Sequence, residues 1–129
     1  MGITCDFRAE ITIPAPTEDT DPLRIAASRF HQDGVLDDPL TGADPDTLLR
    51  AVIEAMKDAM SDLYWNSNVE VHGTRNADGT ITVTAKGQCE GSQLEPGFTG
   101  LAVAGATGTI HCNADDSYGP ESMEITEWA

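Results

Sequence analysis

The sequence predicts an α+β fold, one antiparallel β-sheet of about five strands with two helices packed on one face. Three observations carry this expectation. Residues alternate strictly between apolar and polar from Ile3 to Ile13, apolar residues recur at three and four positions between Asp44 and Trp65, and two further alternating runs flank a turn ending in Asp78-Gly79. The resulting order, β-α-α-β-β-β-β, suits a sheet with one covered and one wet face, and 129 residues make a single domain, 1–129.

Each element has a local cause. In the first strand Ile3, Cys5, Phe7, Ala9, Ile11 and Ile13 share one side, and Pro14 and Pro16 end it because proline cannot donate to a ladder. Asp21-Pro22 opens a short helix with the stripe Leu23, Ala26, Ala27 and Phe30, and Gly34 is its expected stop. Asp44-Pro45 repeats that chemistry for the main helix, expected to reach about Trp65, with Leu48, Leu49, Val52, Ile53, Met56, Met60, Leu63 and Tyr64 inward. The hairpin pairs Val69–Arg75 with Thr80–Cys89, its outer face a row of threonines. Gly91 to Gly105, with four glycines, reads as a connection. Two more strands are expected near Ala106–Asn113 and Ser122–Trp128, separated by an acidic turn. The wet sheet face is a candidate contact surface.

Charge is the main functional signal. The chain holds 22 Asp and Glu against 7 Lys and Arg, a formal −15, with no Lys or Arg after Lys86. Affinity for nucleic acid comes mainly from cations that displace counterions, so direct DNA or RNA binding is disfavoured. An acidic chain can instead compete with nucleic acid for a basic protein. Fifteen charges match the phosphate of about 25 Å of duplex, but spread over roughly 6,600 Å² of surface they are dilute. Mimicry therefore requires clustering. The candidate partner-binding acids form three groups: Asp37, Asp38, Asp44 and Asp46 in the loop and cap before the main helix; Glu54, Asp58 and Asp62 on its outer face; and Asp115, Asp116, Glu121 and Glu124 near the C-terminus, with Tyr118 among them. Trp65, Tyr118 and Trp128 are candidate aromatic anchors.

Other chemistries find less support. His111 and Cys112 are adjacent on a strand and point to opposite faces, so they do not join one tetrahedral metal site with His72 and Cys89. Asn113, Asp115, Ser117 and Glu124 fall at calcium-loop spacing, but Tyr118 stands where the turn glycine belongs. No GxSxG, GxxxxGK[ST] or HExxH occurs. The expectation is therefore no metal, no cofactor and no catalytic residue. Cys5, Cys89 and Cys112, odd in number and widely spaced without a secretory leader, read as buried thiols in a reducing, cytoplasmic setting. No stretch is apolar enough to span a membrane, and anionic lipid would repel this surface.

The function expected is that of a small acidic protein-binding protein. It would be an inhibitor engaging a basic nucleic-acid-handling or toxin protein, by analogy of size and charge with phage-encoded defence inhibitors and immunity proteins. Two alternatives stand beside it. Two Lys against thirteen Asp also suits a salt-adapted accessory or structural protein, and a small hydrolase or cation-binding protein is the third class. Oligomeric state is not readable from the residues.

Overall fold

The computed structural model describes residues 4–61, 68–90, 93–114 and 120–129. The chain runs β1 (Thr4–Ile13), α1 (Pro22–Gln32), α2 (Pro45–Ala59), β2 (Asn68–Arg75), β3 (Ile81–Glu90), α3 (Leu94–Val103), β4 (Thr107–Ala114) and β5 (Pro120–Glu124), and closes on a 3-10 turn over Ile125–Trp128. The strands form one antiparallel sheet in the order β2-β3-β1-β4-β5. The predicted α+β architecture holds.

Alternation decides which face is covered. Phe7, Ala9, Ile11 and Ile13 of β1 are buried with Val71, Ile81, Val83, Ala85 and Ile110 of the neighbouring strands, under the apolar stripes of the helices. Asp44 caps α2 by accepting the Thr47 amide at 2.9 Å, as the Asp-Pro start predicts. At α1, Asp21 makes no side-chain cap; its carboxylate pairs with Arg24 at 3.3 Å instead.

The sheet is accompanied by three helices among the described residues rather than two. The stretch expected to be a connection forms α3, with Leu94, Phe98, Leu101 and Ala102 in the core. Gly97 and Gly100 explain both the helix and its invisibility. Each glycine costs an isolated helix about 1 kcal/mol, yet a Cβ at Gly97 would run into Met60 and one at Gly100 would stand 2.5 Å from Phe30 Cε2. The glycines let side chains of α1 and of the α2 end reach the α3 backbone, and that packing outweighs propensity. Pro96 is tolerated because it lies in the first turn.

Three further differences concern ends and sulfur. Helix α2 ends at Ala59, and residues 62–67, which include Asp62 and Trp65, lie outside the described residues. The last strand stops at Glu124, because Ile125 turns into the core within the 3-10 segment and Trp128 packs on Phe98, ring centroids 6.2 Å apart. Finally, Cys112 is disulfide-bonded, which corrects the expectation of three thiols. Cys89 is buried.

Candidate functional site

The face of the sheet that no described helix covers is an ordered grid of polar side chains, set by strand register. One row across the strands reads Glu70, Lys86, Arg8, His111, Ser122; the next reads His72, Thr84, Glu10, Thr109, Glu124. Beyond it, Thr74, Thr82, Thr12 and Thr107 form a row of threonines alone. These residues are the outward half of the alternation that builds the core.

Two glycines shape this face. Gly87 of β3 has φ +146° and Gly108 of β4 has φ +139°, values that L side chains rarely adopt. A Cβ would collide with the Asn68 carbonyl at the first and the Glu10 carbonyl at the second. Glycines of this kind mark bends and close backbone approaches in strands. Over the bent strands lies a cavity of about 940 Å³, lined by Arg8, Glu10, His72, Thr84, Lys86 and His111 among others.

Defined polar contacts tie parts of this grid together. Lys86 Nζ pairs with Glu70 at 3.6 Å, Thr109 Oγ1 donates to Glu124 Oε1 at 2.9 Å, and His111 Nδ1 lies 2.7 Å from Ser122 Oγ. The side chains of Arg8 and Glu10 make no hydrogen bond or ion pair with the described residues.

The acids singled out from sequence sit elsewhere, apart from Glu124, which belongs to the open face. Asp46, Glu54 and Asp58, with Arg50 between them, are exposed at four-residue spacing and so share one outer stripe of α2. Several have local tasks. Asp44 caps the helix, Asp46 pairs with Arg75 at 3.4 Å, Glu54 with Lys57 at 3.5 Å, and Asp38 Oδ1 accepts the Leu40 amide at 2.9 Å. Asp37 and Asp58 are exposed and have no partner among the described residues. Asp62, Asp115, Asp116 and Tyr118 fall outside the described residues, as does the Glu121 side chain. The strand ends flanking the C-terminal turn adjoin the start of β1, whereas Arg75 ties the first turn of α2 to the opposite end of the sheet. Glu124 thus stands on the open face of the sheet, the side away from the core that the helices cover.

The loop carrying Asp37 and Asp38 is held by Arg24, a cation that no local sequence pattern marks out. Its guanidinium donates to the carbonyls of Leu40 at 3.3 Å and Ala43 at 2.6 Å, and His31 Nδ1 donates to the Leu36 carbonyl at 2.9 Å. Leu40 takes φ +61°, a costly value for a branched side chain, and is held there by these contacts and by Asp38. Two of the described carboxylates are shifted in their ionisation. Hydrogen bonds from Thr47 hold Asp44 below the ordinary carboxylate range, and those from Thr80 do the same for Asp78 in the hairpin turn. Both shifts arise from capping and turn geometry, so they mark structural acids rather than a proton donor poised for catalysis.

Comparison with protein-family models, with curated proteins and with solved structures gives no match. The open face and the acidic stripe therefore carry the functional reading by themselves. Among the described residues no group of three His, Cys, Asp or Glu is placed to hold a metal ion, and no helix is long and apolar enough to cross a membrane.

Proposed function

We propose that this chain acts by binding rather than catalysis, as an inhibitor-type protein that engages a basic protein partner through the anionic surface of its helical side. One observation supports this most. On that side Arg24 pairs with Asp21, Arg29 with Asp33, Lys57 with Glu54 and Arg75 with Asp46, which leaves Arg50 as the described cation there without an ion pair. The acids left over, Asp37 and Asp58 among them, are exposed to water and outnumber that arginine. Exposed ion pairs contribute little to stability; their consequence here is a field of one sign, and such fields govern encounter rate more than affinity.

The test is kinetic. With a basic protein recovered by affinity capture on the full chain, the association rate should fall steeply as salt rises. The Asp37→Asn/Asp58→Asn double variant should associate more slowly while dissociating almost as before. An association rate indifferent to salt, or a double variant with unchanged kinetics, overturns the proposal.

A second reading is favoured by the placement of Glu124 across the sheet from the α2 stripe, since acids spread over both sides suit solubility in concentrated salt. Thermal unfolding separates the two. A chain fully folded at low ionic strength removes salt adaptation, and one that folds only in concentrated salt supports it. The cytoplasmic location expected from the cysteine count is not carried into this proposal, because disulfides such as that of Cys112 persist mainly in oxidising compartments.

A further inference from the structure

We infer that the concave open face of the sheet is a binding site for a small zwitterion, a molecule of the amino-acid class, whose carboxylate lies on Arg8 and whose ammonium group lies on Glu10. This site is separate from the acidic α2 stripe and does not depend on it.

Arg8 carries the inference. Of the seven Lys and Arg in the chain, Arg24, Arg29, Lys57, Arg75 and Lys86 each hold a carboxylate within 4 Å, and Arg50 acts electrostatically on Asp44. Neither Arg8 nor Arg50 has a carboxylate within 4 Å, in a chain with three times as many acids as bases, and of the two only Arg8 lies on the open face of the sheet. It occupies the middle strand, midway along the row that also brings Lys86 and His111 beside it. A guanidinium is a planar fork of donors that fits a carboxylate through two parallel hydrogen bonds. Lys86 and His111 add donors at its flanks. In the tautomer in which Ser122 donates to His111 Nδ1, the ring proton sits on Nε2 and that nitrogen is a donor.

The anion alone is not the best occupant. Glu10 follows two residues along the same strand, on the same face, and it too has no partner among the described residues. A simple anion would meet repulsion from Glu10 and from the chain's net −15, and a dianion such as phosphate would meet more. A zwitterion carries no net charge to be repelled. It satisfies both unpartnered groups at once, ammonium on Glu10 and carboxylate on Arg8. The cavity, at about 940 Å³, lies in the range of small-molecule clefts, roughly 300–1,000 Å³. That volume exceeds what the charged head group needs, so Thr84 and Thr109 remain to receive the rest of the ligand.

The experiment is a titration of the isotopically labelled full chain, followed by NMR, with a panel of free amino acids as probes. Acetate, methylammonium and inorganic phosphate serve as partial ligands. The expected result is saturable shifts at Arg8, Glu10, Lys86 and His111 with at least one amino acid, and weak, non-saturating shifts with acetate or methylammonium. Arg8→Gln and Glu10→Gln should each weaken that binding about tenfold or more. Both residues face water on the sheet, so the thermal midpoint of each variant should match the parent's. Absence of saturable shifts with every amino acid overturns the inference. So does acetate or phosphate binding as tightly as the amino acid, which would make the site an anion site only, or saturable shifts that survive in Arg8→Gln.

Discussion

The two faces of the sheet are built from the same ten-residue β1, one residue apart, and differ in almost every physical respect. On the covered face Phe7, Ala9, Ile11 and Ile13 are buried under helices that pack on one another so closely that Gly97 and Gly100 are needed to admit Met60 and Phe30. On the open face Arg8, Glu10 and Thr12 stand in cross-strand rows over a cavity, and two of them engage no partner among the described residues. The difference teaches where tolerance lies. A close-packed interior responds to the loss of a few methylenes, whereas a solvated grid responds mainly through what it can bind.

The largest expected effect tests the covered face. Phe98 is fully buried in α3, with Phe7 set edge-on to it at 6.2 Å and Trp128 on another side. Phe98→Ala should lower unfolding free energy by about 3–5 kcal/mol, read from urea denaturation. Thr84→Val on the open face should stay within about 0.5 kcal/mol of the parent. Similar costs at the two positions would mean that the faces do not differ as their burial implies.

How much of this contrast was legible beforehand depended on range. Short-range patterns carried well: the alternation over Asp6–Ile13, the Asp44-Pro45 cap and the Asp78-Gly79 turn each appear in place. Helix α3 did not, because Gly97 and Gly100 argue against a helix in every local scale. Their reason, the side chains of Met60 and Phe30, lies more than thirty residues away in sequence. The open-face rows failed to show for the same cause. That Arg8 stands beside Lys86 and His111 follows from strand order, which alternation alone does not set. The acids misled in the opposite sense: charge made Asp38, Asp44 and Asp46 look like surplus, whereas a turn, a cap and an ion pair use them.

The next effect in size concerns Cys112, half-buried on β4 and facing the covered side like Ile110. Disulfides contribute typically about 2–4 kcal/mol, chiefly by restricting the unfolded chain. Reductant should therefore lower the denaturation midpoint of the parent by a margin that Cys112→Ser reproduces without reductant. In the unfolded, unreduced chain Cys112 should resist alkylation. If it alkylates readily in protein prepared under oxidising conditions, the bond does not form and the cytoplasmic setting regains its footing.

The smallest effect separates structural acids from surplus ones on the helical side, and pH is the means. Hydrogen bonds from Thr47 lower the folded ionisation value of Asp44 beneath its unfolded one. A group shifted in that direction adds stability that is complete above its unfolded value and is lost as pH falls through the folded one. Asn accepts the same amide hydrogen bond without a charge, so Asp44→Asn should cap the helix at every pH while losing that increment. The parent should thus be slightly more stable than Asp44→Asn near neutrality, and the two should converge in acid below the ordinary carboxylate range. Asp37→Asn, with no bond to lose, should show no such convergence. A difference between Asp44→Asn and parent that persists undiminished in acid would locate the effect in the amide side chain rather than in the charge.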